Sequence, residues 1–151
     1  MATGSAASAA RRDARIYRVA GPLAIIGAVL LAAGTTMPWV THGTKVQVRL
    51  DGFQLGPAIR GFGVGPVLVA AAAVLFLAGG VTTFRLWRPN LAMPLVPSVV
   101  AGLVIANVWN QVFWSVASST LDAGAIVCLL GIALGLASSI VMLPAEHPRT
   151  R

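Results

Sequence analysis

Four stretches of this chain carry no charged residue, and each is long enough to cross a bilayer. They lie between Arg18 and His42, Arg60 and Arg85, Arg88 and Asp122, and Asp122 and Glu146. A spanning helix needs roughly 20 mainly apolar residues to cross a hydrocarbon core of about 30 Å. Composition agrees with this reading: only 10% of the residues are charged, against about a quarter in an ordinary soluble domain. That leaves too little polar surface to coat a water-soluble globule of 151 residues.

The spanning elements are helices. A membrane barrel alternates apolar and polar residues over segments of about ten, whereas "GPVLVAAAAVLFLAGGVTTF" is apolar all round. Only helices and closed barrels satisfy their own backbone groups in lipid. The sequence therefore predicts an all-α integral membrane protein, a four-helix bundle over 19–143. Its spans fall at about 19–39, 63–84, 94–114 and 121–143, with a basic segment at 1–18 and a tail at 144–151. Residues 1–10, "MATGSAASAA", are small and polar and are expected to fray.

Basic residues set the expected orientation. Arg11, Arg12, Arg15, Arg18, Arg85, Arg88, Arg149 and Arg151 fall on one side, and Lys45, Arg49 and Arg60 on the other. The positive-inside rule then places both termini in the cytoplasm and the chain in the plasma membrane. A net charge of +7 spread over short segments flanking the spans suits topogenesis and anionic lipid, not nucleic acid. The first apolar run is longer than the core of a signal peptide, so the span is expected to be retained.

The longest outward loop covers 40–62. "KVQVRL" alternates, then "DG" and "FQL" follow, a hairpin signal. The expected element is a small β-hairpin in this first extracytoplasmic loop, Lys45–Leu50 pairing with Phe53–Leu55.

Metal and nucleophilic chemistry fail on topology. His42, His147 and Cys128 lie outside, inside and within the fourth span, so no ligand cluster forms from them. Phosphate-loop, H-E-x-x-H and G-x-S-x-G motifs are missing. No metal, no cofactor and no enzymatic activity are expected.

Small residues recur at helical spacing. Val127, Gly131, Gly135 and Ser139 form one row on the fourth span, and Ala20, Ala24, Ala28 and Ala32 form one on the first. Such rows let backbones approach closely where no hydrophobic force drives helices together. They suit internal packing of the four helices better than a partner interface. Trp39, Trp87, Trp109 and Trp114 lie near span ends, where aromatic belts form.

"NVWNQVFWS" is the most polar stretch of any span. Asn107, Asn110, Gln111 and Trp114 share a face, and Asn107 lies 13 residues past Pro94, about 20 Å into the bilayer. Amides facing lipid are costly, so this face is expected to look inward, towards Asp122 and the "SST" turn. Asp122 also suits the N-terminus of the fourth span.

"MPWV" closing the first span, "LDGFQLGP" in the loop and "TLDAGAIVCLLGIALGL" in the fourth span together resemble a family of small actinobacterial four-helix proteins, the tryptophan-associated membrane proteins. The likeness extends over most of 19–143, and the helices with a β-containing first outer loop are similar in shape to claudins. It implies location and topology and brings no catalytic residues.

The function expected is that of a non-enzymatic accessory or stabilising subunit of a cell-envelope or transport complex. Its partners would be membrane lipids and either another membrane protein or further copies of itself. The alternative is binding or transport of a lipid headgroup or small polar solute at the cluster of Asn107, Asn110, Gln111 and Asp122. Topology can be tested with single cysteines in a Cys128→Ser background. Ser5→Cys and Arg151→Cys are expected to resist an impermeant thiol reagent in intact cells, and Thr44→Cys to react. The opposite pattern would invert the orientation.

Overall fold

The computed structural model describes residues 3–42, 48–53, 57–59, 62–84, 90–115 and 120–146. It is a four-helix membrane bundle, and the helices are α1 (Thr3–Thr36), α2 (Val64–Phe84), α3 (Ala92–Ser115) and α4 (Ala123–Glu146). Each contains a stretch long and apolar enough to cross a membrane: Ala14–Thr36, Val64–Phe84, Ala92–Asn110 and Ala123–Leu143. Large apolar side chains such as Leu77, Leu103 and Ile140 are about two-thirds exposed, which suits lipid rather than water. α1 packs against α2 and α4, and α3 lies against α2 and α4.

The closest seam joins α1 to α4. Ala20, Gly27 and Gly34 on α1 face Ser138, Gly131 and Gly124 on α4, each step seven residues long. A Cβ at Gly131 would meet the Gly27 carbonyl oxygen at 2.6 Å and the Leu31 nitrogen at 2.8 Å. One at Gly27 would meet the Gly131 carbonyl oxygen at 2.7 Å. The glycines are therefore required by backbone approach. The Ser138 hydroxyl donates to the Ala20 carbonyl across the seam at 2.8 Å, and the Cys128 thiol donates to the Leu31 carbonyl at 3.5 Å.

α1 meets α2 in the same manner. A Cβ at Gly79 would lie 2.9 Å from the Gly21 carbonyl oxygen, and Ala24, Ala28 and Leu75 cluster beside it. Gly135 faces Ser98 of α3 and Leu75 of α2, and Ser139 is buried with its hydroxyl donating to the Gly135 carbonyl. Ala32 is half-buried against the main core. α3 contributes larger groups, Val104, Ile105 and Val108, and a Cβ at its Gly102 would meet Ile132 at an ordinary 3.9 Å. Every buried side-chain nitrogen or oxygen among the described residues has a hydrogen-bond partner.

Two boundaries differ from the sequence expectation. α1 begins at Thr3 rather than beyond residue 10. Alanine has the highest helix propensity, and extending a helix already nucleated in a span adds one hydrogen bond for each residue fixed. At its other end α1 stops at Thr36, short of Trp39, because Pro38 disfavours helical backbone at Met37.

A small antiparallel β element caps one end of the bundle. β1 (Pro38–His42) pairs with β2 (Val48–Asp51), and on its other edge with β5 (Thr120–Leu121), giving the order β2-β1-β5. β3 (Pro57–Ile59) and β4 (Phe62–Gly63) form a separate pair. The hairpin described in the first loop is β1 with β2, whereas Phe53 lies in a turn and Gln54 is outside the described residues. Lys45 and Leu55 lie outside the described residues. Asp51-Gly52 makes a different turn: the Phe53 N–H donates to Asp51 Oδ1, and the Gly52 N–H donates to the Thr35 carbonyl, each at 2.9 Å.

Gly131→Ala is expected to cost about 1–3 kcal/mol of stability, because the new methyl meets backbone that cannot move aside. Gly80→Ala, with nothing within 4 Å of the added carbon, should change it by less than about 0.5 kcal/mol. Melting temperatures in a mild detergent, compared pairwise, check the contrast.

Candidate functional site

Functional candidates concentrate at the strand-capped end, and Trp39 organises its interior. The indole is 1% exposed and donates from Nε1 to the Gly34 carbonyl at 2.8 Å. Its backbone carbonyl accepts from the Asp122 N–H at 2.9 Å, at the residue preceding α4. The ring lies on Gly124, where a Cβ would meet Trp39 Cδ1 at 2.6 Å and the carbonyl oxygens of Met37 and Pro38 at 2.7 Å. One side chain and one short strand therefore close the C-terminus of α1 onto the N-terminus of α4. Together with the Gly52 N–H they satisfy carbonyls that a helix end otherwise leaves open.

This corrects the belt assignment of Trp39. It is a core residue of the cap, since the turn after Thr36 carries it over Gly124 instead of outwards. Trp109 is 47% exposed on α3. Trp87, and the side chain of Trp114, lie outside the described residues.

The amides depart most from expectation. Asn107 and Asn110 are exposed, while the buried face of α3 consists of Ala101, Val104, Ile105 and Val108. Apolar side chains outcompete the amides for the bundle interior, because that interior is closed by van der Waals packing, and the buried serines and threonines among the described residues bond helix carbonyls. Asn107 and Asn110 thus lie on the exposed side of α3. Asp122 is half-buried and sits at the N-cap position of α4, with Asn107 on the far side of α3 from the core. The Gln111 side chain and the 116–119 turn lie outside the described residues.

Along the first turns of α3 runs an apolar groove of about 500 Å³ between α2 and α3, lined by residues such as Val67, Val74, Met93, Val96 and Val100. Among the described residues no three His, Cys, Asp or Glu side chains come together as metal ligands would. The arrangement offers hydrogen bonding and apolar contact on the outside of α3.

Sequence reasoning missed two devices. The Trp39 clasp left a trace in the five-residue separation of Gly34 and Trp39 and in Gly124 at the head of α4. The start of α3 is capped by Asn90, whose side-chain oxygen accepts from the Ala92 N–H at 2.9 Å; the signal was an asparagine two residues ahead of the apolar run.

No protein-family model matches this chain, and neither a curated protein nor a solved structure matches it. The chemistry of its own residues carries the functional argument.

Trp39→Phe is expected to lose about 1 kcal/mol, the value of one hydrogen bond whose acceptor keeps a second donor in Met37 N. Trp39→Ala should lose about 3–5 kcal/mol by opening a cavity over Gly124. Trp109→Ala serves as the exposed control in detergent melting. Equal effects at the two tryptophans would remove Trp39 from the core of the cap.

Proposed function

We propose that this protein is a non-enzymatic accessory subunit of a cell-envelope or transport complex, and that it engages another membrane-embedded chain through the outward face of α3. The observation that carries this reading is the exposure of Asn107 and Asn110 within the spanning stretch Ala92–Asn110. Amides within a membrane are costly against lipid and ordinarily face protein or a water-filled space. A bundle that fills its own interior with apolar groups and then presents amides outwards is suited to contact with a further helix.

Placement in the plasma membrane with both termini cytoplasmic belongs to the same proposal and rests on the arginine distribution. So does membership of the tryptophan-associated family, which rests on the quoted motifs. A second reading keeps the same residues and changes the ligand to a lipid headgroup or small polar solute. It is favoured by the position of Asn107 and Asn110 in the part of α3 nearest the strand cap, towards the membrane surface.

The test pairs stability with biological activity. Asn107→Leu/Asn110→Leu/Gln111→Leu is expected to melt within about 0.5 kcal/mol of the parent, since Asn107 and Asn110 are exposed. It should fail to complement a deletion strain. Normal melting with full complementation would sink both readings of the α3 face.

A further inference from the structure

The outward face of α3 has a regular pattern. Val96, Val100, Leu103, Asn107 and Asn110 follow one another at steps of four, three, four and three residues, and all five are exposed. That is the spacing of a seam along which two helices pack side by side. Its apolar part is substantial: Val96 is 57% and Leu103 66% exposed. Val96 and Val100 also form part of the wall of the apolar groove between α2 and α3, so a helix laid along the seam would meet both ridge and groove.

We infer that the occupant of this face is a second copy of the same chain, the two α3 helices lying parallel. This rests on the docking reading above and names the partner. All copies inserted with one topology share one orientation in the bilayer. A two-fold axis along the membrane normal then sets α3 against α3 in parallel, each residue opposite its own copy at equal depth.

Carboxamides suit that symmetry. Each has two N–H donors and two acceptor lone pairs, so Asn107 keeps capacity for Asn107 of the second copy alongside any bond within its own chain. Asn110 meets its equivalent likewise. An unrelated helix would need polar groups at matching depths, whereas a second copy supplies them by symmetry. An asparagine pair in such a seam fixes register and favours two strands. No charge opposes the contact, because the sequence has none between Arg88 and Asp122.

The test uses the full chain, Cys128→Ser, in liposomes at low protein density, with Leu103→Cys on the seam and Val29→Cys on α1 as an equally lipid-facing control. Oxidation is expected to link Leu103→Cys into dimers and to leave Val29→Cys monomeric. Adding Asn107→Leu and Asn110→Leu to Leu103→Cys should raise the protein density needed for half-dimerisation about tenfold. Equal linking at Leu103→Cys and Val29→Cys, or unchanged linking without the asparagines, would overturn the inference. A photo-crosslinker at position 103 in native membranes separates the two levels of the argument. An adduct of twice the chain mass supports the dimer. An adduct with a different protein, together with a monomeric purified chain, removes the second copy and keeps the docking face. No protein adduct at all removes both.

Discussion

The backbone-to-backbone approach of α1 and α4 is the contact on which the rest of this molecule depends. Lipid is as apolar as leucine, so two helices gain nothing by hiding hydrocarbon from it and must gain from close packing instead. Gly27 and Gly131 bring carbonyl and amide groups of opposing helices within the space that one methyl would fill. Ser138 and Cys128 then reach across to helix carbonyls, bonds that only such proximity permits. With α1 fixed against α4, Gly21 and Gly79 bring α2 onto the other flank of α1 by the same means. The bundle is assembled around one glycine-lined helix.

The strand cap extends that seam beyond the spans. Gly34 and Gly124 end the glycine register, and there the contact passes from helix–helix to indole–glycine as Trp39 folds over Gly124. Because β1 bonds to β2 on one edge and to β5 on the other, both connecting loops at this end are tied to a single strand. The loop therefore belongs to the packed structure, which explains why Trp39 is more buried than any tryptophan at a membrane interface would be.

The number, type and approximate limits of the helices were legible in the sequence because hydropathy and charge segregation act locally. Each long uncharged run reports its own solvent, whatever its neighbours do. Packing was legible only in part. Rows at four-residue spacing carry Ala24, Ala28, Gly131 and Gly135, which lie in close helix contacts, but name no pairing. The α1–α4 seam repeats every seven residues, two helical turns, and joins Ala20, Gly27 and Gly34 to partners about 100 residues away. Such a register is a property of two helices together and is not written in either alone. The Asp51-Gly52 turn failed as a hairpin signal for the same reason: its N–H groups were claimed by Thr35 and by Asp51's own carboxylate.

The exposure of Asn107 and Asn110 was not legible because a general cost was applied to a single chain. Amides avoid lipid, and in a protein considered alone avoidance can only mean the interior. Here the interior is closed largely by alanine, valine, leucine and isoleucine, with buried hydroxyls bonded to helix carbonyls. α3 is also the helix with the fewest glycine contacts, held by side-chain packing in place of backbone approach. Its outer face is consequently under little constraint from the fold. Polar groups placed there say little about the fold's own stability, and the proposed docking of α3 against a further chain builds on that freedom.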